Sequence, residues 1–419
     1  MVSVEQARSR ILSYFSVLNA EEIPILETIS QVLAEDLNSD FNVPPMDNSA
    51  MDGYAVLASD TIGANPDNPV ELPVIRKIAA GDLPGAQIES GTAIRIMTGA
   101  PLPPGSTAVV AFEDTDEMER RLSALDQSRI GIRLEVNTGE NTRKAGEDVA
   151  AGSLVLKAGT VMRPPEIGVA ASLGKSKVSV IRRPEVGIIA TGDELQEPGE
   201  DHVAGRIYNS NTYGVAAQVA QHGGVARIIG IARDTVESLE RILDLASSSD
   251  MVVTSAGVSK GDYDVVKEVL ARRGEIAVCS VRMRPAKPLA FGVLTGTNGR
   301  PVPLLGLPGN PVSAMVAFEQ FGRPAIRLMM GKQILAKPTV QARLDDVIYN
   351  HDGRRVYARV VVYQDGDTYR ARLTGSQSSG VLTSMAAANG LAICPDDRAY
   401  IPIGDVVTVE MLDWPDEVF

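Results

Sequence analysis

Histidine and cysteine are scarce in this chain: 419 residues hold three histidines, His202, His222 and His351, and two cysteines, Cys279 and Cys394. None of them falls at metal-ligand spacing with another, which argues against a zinc site and leaves little material for histidine general-base chemistry. Two distant cysteines give no disulfide framework, suggest a reducing compartment, and read as small core residues. The Gly-x-x-x-x-Gly-Lys-Ser/Thr phosphate loop is missing, as is the Gly-x-Ser-x-Gly nucleophile elbow. No apolar run approaches the roughly 18 residues of a membrane helix, and Met1 to Arg10 carry no apolar signal core. A soluble, cytoplasmic protein without a membrane partner is expected. The formal net charge of −13 comes with no concentrated basic stripe, so nucleic acid is not an expected partner either. Any anionic ligand must be neutralised locally, by a few placed Arg or Lys or by a bridging cation.

The composition, 44% hydrophobic and 22% charged, is that of a chain that buries a core. Its length favours several domains over one. Ser3 and Gln6 form a capping-box pattern ahead of an apolar stripe through Val4, Ala7, Ile11, Leu12 and Phe15. A second helix is expected over Ile25 to Ala34. Residues 54 to 136 read as short strands such as 92–96 and 108–112, broken by Gly and Pro. Pro164 and Pro165 open a further helix.

After Arg183 the pattern changes to alternating strands and helices. Strands are expected at 186–190, 225–231, 251–254, 276–281, 289–294 and 302–305, and helices at 212–222, from Asp234, from about 263 to 273, and after Pro311. Asp234 and Glu237 give the second of these helices a capping-box-like start. Continuous apolar strands alternating with amphipathic helices predict a mostly parallel sheet covered on both faces, with ligands at the carboxyl ends of its strands. Beyond Lys332 short alternating strands return, turning at Asp352-Gly353 and Asp365-Gly366.

The expected fold is therefore a multidomain α/β chain. Its parts are a discontinuous helical N-terminal linker and dimerisation unit (1–46 and 146–180) carrying a β-rich insertion (47–145), a three-layer αβα domain (181–331), and a small C-terminal β-barrel-like domain (332–419).

Three loops at strand ends look chemical. Thr191-Gly192-Asp193-Glu194-Leu195 brings two carboxylates to a strand end, although a turn with a helix cap would also explain them. Ser255 to Asp264 combines glycines, hydroxyls and two acids: backbone N–H groups there suit a phosphate, while Asp262 or Asp264 would hold a cation or cap the helix. Gly306 to Ser313 is stiffened by Pro308 and Pro311, as a preformed wall or as an ordinary strand-to-helix turn. Arg282, Arg284 and Lys287 cluster three cations, which favours an oxyanion site over a solvated rim. Outside the sheet, Asn48 to Val56 and Arg143 to Val149 set acids beside glycine turns. Carboxylates, cations and glycine-rich loops together point to Mg²⁺-assisted chemistry at a phosphate.

In chain order, Ser49-Ala-Met-Asp-Gly-Tyr-Ala, Ile96-Met-Thr-Gly-Ala, Gly146-Glu-Asp, Thr191-Gly-Asp-Glu-Leu, Tyr208-Asn-Ser-Asn, Gly257-Val-Ser, Lys287-Pro-Leu-Ala-Phe-Gly and Gly306-Leu-Pro-Gly-Asn-Pro-Val-Ser resemble the motifs of the molybdopterin molybdenumtransferases, the MoeA family, which includes the C-terminal part of gephyrin. The resemblance spans nearly the whole chain. It implies insertion of molybdenum from molybdate into adenylylated molybdopterin, with Mg²⁺-dependent release of AMP, by a homodimer whose site lies between subunits.

On that resemblance Glu194 is the essential acid, with Asp52 and Asp148 also catalytic. Glu194, Asp234, Asp262 and Asp264 serve Mg²⁺. Thr98, Arg143, Thr191, Gly192, Ser255, Gly257, Ser259, Arg284, Lys287, Pro308, Pro311 and Ser378 bind substrate, and Asp52, Thr98, Arg143 and Asp148 come from the second subunit. The pterin adenylyltransferase that acts earlier and molybdenum apoenzymes are implied as further partners. Ala256 and Ala286 depart from the family's usual glycines, and a methyl group matters there only if the position needs positive φ. A catalytically silent scaffold is the competing reading; retention of the acidic positions favours the enzyme. A stand-alone adenylyltransferase would resemble residues 181–330 alone, and the flanking units argue against it.

Overall fold

The apolar strands expected after Arg183 assemble into one six-stranded sheet, seen in a computed structural model that describes residues 1–83, 85, 87–123, 125–255, 269, 272–296 and 299–414. Its order is Val225–Ala232, Glu185–Thr191, Met251–Ser255, Pro301–Leu307, Pro288–Thr295 and Gly274–Ser280. The first four strands run parallel, Pro288–Thr295 runs antiparallel to them, and Gly274–Ser280, antiparallel to Pro288–Thr295, resumes the first direction. Strand order reverses beside Glu185–Thr191: the chain steps outward to Val225–Ala232, then returns to Met251–Ser255 on the other side. Such a switch point opens a crevice at the carboxyl ends of the strands.

Helix Ser210–Gln221 and the run Pro311–Met329 cover one face, and helix Val236–Ala246 covers the other with Leu239, Ile242, Leu243 and Ala246. The helix expected near residues 263–273 falls largely outside the described residues.

The N-terminal helix, Val4–Leu12, starts as its sequence predicts. Ser3 Oγ accepts from Gln6 N–H while Gln6 Oε1 accepts from Ser3 N–H, an arrangement that stabilises a helix start by about 1 kcal/mol. Its buried Val4, Ala7 and Ile11 share the core of the sheet domain with Phe318 and Phe321.

Two expectations fail. Over 25–34 only a single 3₁₀ turn forms, Ile25–Thr28. Ser30 takes φ 63°, and Val32 and Leu33 instead bridge to Val161 and Val180. The apolar spacing there served a strand-like pairing, and β-branched residues gave the helix little support. At the start of Val236–Ala246 the cap is Thr235, whose Oγ1 accepts from Ser238 N–H at 3.2 Å; Asp234 stands one residue too early.

The C-terminal strands Thr339–Leu344, Arg355–Asp365, Thr368–Leu373, Gly390–Cys394 and Val406–Met411 close on themselves through a pairing of Arg355–Asp365 with Gly390–Cys394, giving a five-stranded barrel. Gly353 and Gly366 turn with φ of 65° and 60° at the two predicted Asp-Gly sites. Cys394 is buried in the barrel core and Cys279 is half-buried; burial pushes both thiols up, as suits inert packing residues.

Contacts divide the chain into two compact units. One comprises Met1–Ala34, Gly159–Pro164 and Lys177–Phe419; the other comprises Glu35–Ala158 and Pro165–Ser176. The second is built on a five-stranded sheet in the order Ala108–Ala111, Gly53–Val56, Ala93–Ile96, Val70–Ile78 and Arg129–Ile132, with apolar clusters on both faces.

Candidate active site

At the switch point of the six-stranded sheet lies a cavity of about 990 Å³, walled on one side by the sheet's strand-end loops and on the other by the barrel. Of the residues singled out from sequence, Glu194, Ser255, Arg284, Lys287, Pro308, Pro311 and Ser378 line it. Thr191 is buried at the end of its strand, and Gly192 follows with φ 141°. A Cβ built on Gly192 would stand 2.3 Å from Glu194 Oε2, the movable end of an exposed side chain; what favours glycine here is the φ of 141°, a region that L side chains rarely adopt. Glu194 O accepts from Ile207 N–H at 2.9 Å, within the short pairing of Leu195–Gln196 with Ile207–Tyr208. The Glu194 carboxylate itself is exposed and has no hydrogen-bond or ion-pair partner among the described residues.

The carbonyls of this loop converge on Arg233, whose Nη1 donates to Asp193 O at 3.2 Å and Leu195 O at 3.3 Å. Asp193 and Asp234 exchange contacts across neighbouring strand ends, each backbone N–H facing the other's carboxylate at 3.4 Å. Asp234 is not among the described residues that line the cavity. Gly257, Ser259, Asp262 and Asp264 lie outside the described residues. Among the described residues no three His, Cys, Asp or Glu side chains converge as a metal cluster.

The cations are redistributed relative to the sequence expectation. Arg284 and Lys287 line the cavity, but Arg282 pairs with Asp396 at 3.2 Å and does not. Arg354, from the barrel, takes its place.

Behind the wall sits Arg359, 1% exposed, donating from Nη2 to Ser376 O at 3.1 Å and Ser378 O at 3.0 Å and from Nε to Ser384 Oγ at 3.1 Å. Burial, reinforced by the charge of Arg284, lowers its pKa to about 10. The serine loop is thus held from below by a guanidinium, and from the side by Asn310 Nδ2 donating to Ser379 Oγ at 3.1 Å and Val312 N–H donating to Ser379 O at 3.1 Å.

Tyr208, Asn209 and Asn211 also line the cavity, on a segment whose motif was visible in the sequence without a role attached. Arg354 and Arg359 carried no local signal, because each reads as one charge in an alternating strand.

Ala286, in the cavity wall, adopts φ 73° and is 4% exposed. A left-handed conformation costs a non-glycine residue about 1–2 kcal/mol, and glycine returns about 0.5–1 kcal/mol of that as unfolded-chain entropy. Ala286→Gly also gives up a buried methyl, worth about 0.8 kcal/mol, so relief of strain and the two losses nearly cancel and the stability read by urea unfolding is expected to lie within about 1 kcal/mol of the parent's. A fall of about 1.5 kcal/mol or more, the sum of the two losses, would refute strain at this residue.

Asp52, Thr98, Arg143 and Asp148 belong to the other unit. There Asp52 Oδ1 accepts from Thr98 N–H at 2.7 Å and Thr98 Oγ1 at 2.8 Å, and the backbone bond, then the hydroxyl bond, hold its carboxyl below the usual carboxylate range. Asn48–Ser49 pairs with Thr142–Arg143, Gly99 N–H donates to Ser49 O at 2.8 Å, and Asp148 N–H donates to Val43 O at 3.0 Å. These contacts draw the motif segments of that unit together. Arg143 and Asp148 are exposed.

The chain resembles known proteins along nearly its whole length. Residues 2–174 match the MoeA N-terminal region (domain I and II), residues 187–328 a probable molybdopterin binding domain, and residues 341–412 the MoeA C-terminal region (domain IV). A molybdopterin molybdenumtransferase 2 of Mycobacterium tuberculosis is 37% identical over 98% of this chain and 99% of its own. The chain belongs to the MoeA family of molybdopterin molybdenumtransferases. That membership makes it an enzyme of molybdenum cofactor biosynthesis. A molybdopterin molybdenumtransferase of Nostoc is 35% identical over 98% of this chain and 94% of its own. The solved molybdopterin biosynthesis MoeA protein of Pyrococcus horikoshii superposes with a TM-score of 0.80 at 31% identity, covering 99% of this chain and 100% of that one.

Proposed function

We propose that the cavity accepts adenylylated molybdopterin and molybdate, and that the protein inserts molybdenum into the pterin with release of AMP. The observation that supports this most directly is the presence, in one cavity, of Glu194, whose carboxylate has no partner among the described residues, together with the cations Arg284, Lys287 and Arg354, the last also paired with Asp352, in a chain of net charge −13. Both substrates are anions, and these side chains supply local positive charge where the global field is repulsive.

In this reading Arg284 and Lys287 hold molybdate or a pterin phosphate, the Ser255 and Ser378 hydroxyls donate to oxyanion oxygens, and Pro308 and Pro311 stiffen the wall. Glu194 orients the water that attacks the phosphoanhydride. The hard oxygen donors of Glu194 suit Mg²⁺, and Asp234, Asp262 and Asp264 are the further acids we assign to it. When bound, Mg²⁺ would neutralise phosphate charge and make AMP a better leaving group. By family resemblance we assign Asp52, Thr98, Arg143 and Asp148 to an opposite wall supplied by the partner subunit of a homodimer.

The test is to mix purified protein with adenylylated molybdopterin, Mg²⁺ and molybdate. AMP release together with reconstitution of a molybdenum apoenzyme is expected. Tight binding of the pterin with neither outcome would replace the enzyme with a carrier or scaffold.

A further inference from the structure

The unit built on the five-stranded sheet carries a cleft of its own, about 240 Å³, that plays no part in the chemistry above. Arg76, Lys77, Arg95, Arg120, Arg121 and Arg129 line it, and Glu117 is the one carboxylate among the described lining residues. Glu117 is already engaged, pairing with Arg95 at 2.9 Å and with Arg121. Arg120 pairs with Asp116 at 2.6 Å and with Glu71, which Arg129 shares at 3.3 Å. Arg76 and Lys77 are exposed and have no carboxylate within ion-pair distance among the described residues. Six cations thus meet three carboxylates on the surface of a chain whose net charge is −13. Such a local excess of one sign is costly unless a partner of opposite sign uses it.

The location of the surplus says what kind of partner fits. The inner cations are fixed: the Arg95 guanidinium lies 5.3 Å from the Tyr54 ring centroid and donates to Ile96 O at 2.8 Å and Gly53 O at 3.2 Å, besides its pair with Glu117. No free guanidinium fork is left inside for a small oxyanion. The unpaired charge sits on Arg76 and Lys77, next to exposed Ile75 (48%). Charge at the rim with an apolar side chain beside it matches an extended acidic chain that carries leucine-like residues between its carboxylates.

We propose that this cleft docks an acidic segment of a partner protein, with carboxylates on Arg76 and Lys77 and an apolar side chain on Ile75. The inference is independent of the reading of the cavity at the sheet.

The experiment uses the intact chain and a fluorescein-labelled peptide of alternating glutamate and leucine, followed by anisotropy at low and raised salt. A second peptide carries glutamine for glutamate, and inorganic pyrophosphate serves as competitor. The glutamate peptide is expected to bind, to weaken as salt rises, and to lose about tenfold or more in affinity with Arg76→Glu/Lys77→Glu. The glutamine peptide should bind at least tenfold more weakly, about the loss of one or two charge contacts, and pyrophosphate should displace little. Both altered side chains are exposed, so thermal melting should stay as in the parent chain; if it does not, Arg76→Gln/Lys77→Gln carries the same comparison. Absent binding of the glutamate peptide, equal affinity for parent and variant, or equal affinity for both peptides would overturn the proposal. Full displacement by pyrophosphate would reassign the cleft to a small anion and overturn it as well.

Discussion

Glu194→Gln should lower AMP release by about 10²-fold or more while leaving the protein as stable as its parent. The two halves of this expectation come from the same geometry. The carboxylate is exposed and unpartnered among the described residues, so nothing in the fold leans on its charge, and a surface change of this kind shifts stability by no more than about 0.5 kcal/mol. Its position over Gly192, at the carboxyl end of the strand beside the switch point, is where a ligand's phosphate would meet it. Single-turnover measurement of AMP, paired with a urea midpoint, reads both halves. Release at the parent rate would remove Glu194 from the chemistry.

The opposite behaviour is expected from a second glutamate. Glu319 sits in the buried π-helical turn Phe318–Gly322, where Oε1 accepts from Gln218 Nε2 at 2.7 Å, His222 Nε2 lies 3.2 Å away, and Lys337 Nζ stands 3.0 Å from Oε2. Burial alone would raise its pKa, but the His222 hydrogen bond and the Lys337 charge outweigh it and bring the carboxyl down from 4.5 to about 2. Glu319→Gln strands buried Lys337 without its counter-charge, and should cost about 3–5 kcal/mol at neutral pH.

The depressed folded value means that the carboxylate's stabilisation is complete above about 4.5 and is lost as pH falls through about 2. Nearby Glu410 works the other way: burial raises it, although Gln320 Nε2 donates to it at 2.6 Å, so it favours the protonated fold and its contribution fades as pH rises through its folded value. Urea midpoints should therefore fall more steeply in the parent than in Glu319→Gln as pH drops from about 4.5 toward 2, and equal slopes there would show that the ion pairs contribute nothing net.

Much of the sheet domain was legible because its strands are buried on both faces and its helices show one apolar stripe each, as in Val236–Ala246. The strand-end loops followed from topology, which is why Glu194, Ser255 and Pro308 could be named before any geometry was known. What escaped was whatever depended on a distant partner. Asp234 looked like the cap of its helix, yet its carboxylate faces Asp193 N–H, and the cap fell to Thr235. Arg282 was one of three equivalent-looking cations until Asp396, 114 residues away, engaged it. Arg359 is the converse, a core position in an alternating strand whose importance appears only when the serine loop folds over it. At 25–34, local periodicity favoured a helix and long-range bridges to 161 and 180 decided otherwise.

The walls of the sheet cavity are drawn from segments near residues 194, 284, 310 and 378, and the last of these is carried by a barrel that must close before its serine loop has a shape. The complete set of walls therefore exists only once the barrel has closed: a copy with an open barrel keeps the wall made by the strand-end loops and lacks Arg354 and the serine loop, and contacts spanning so much sequence form slowly.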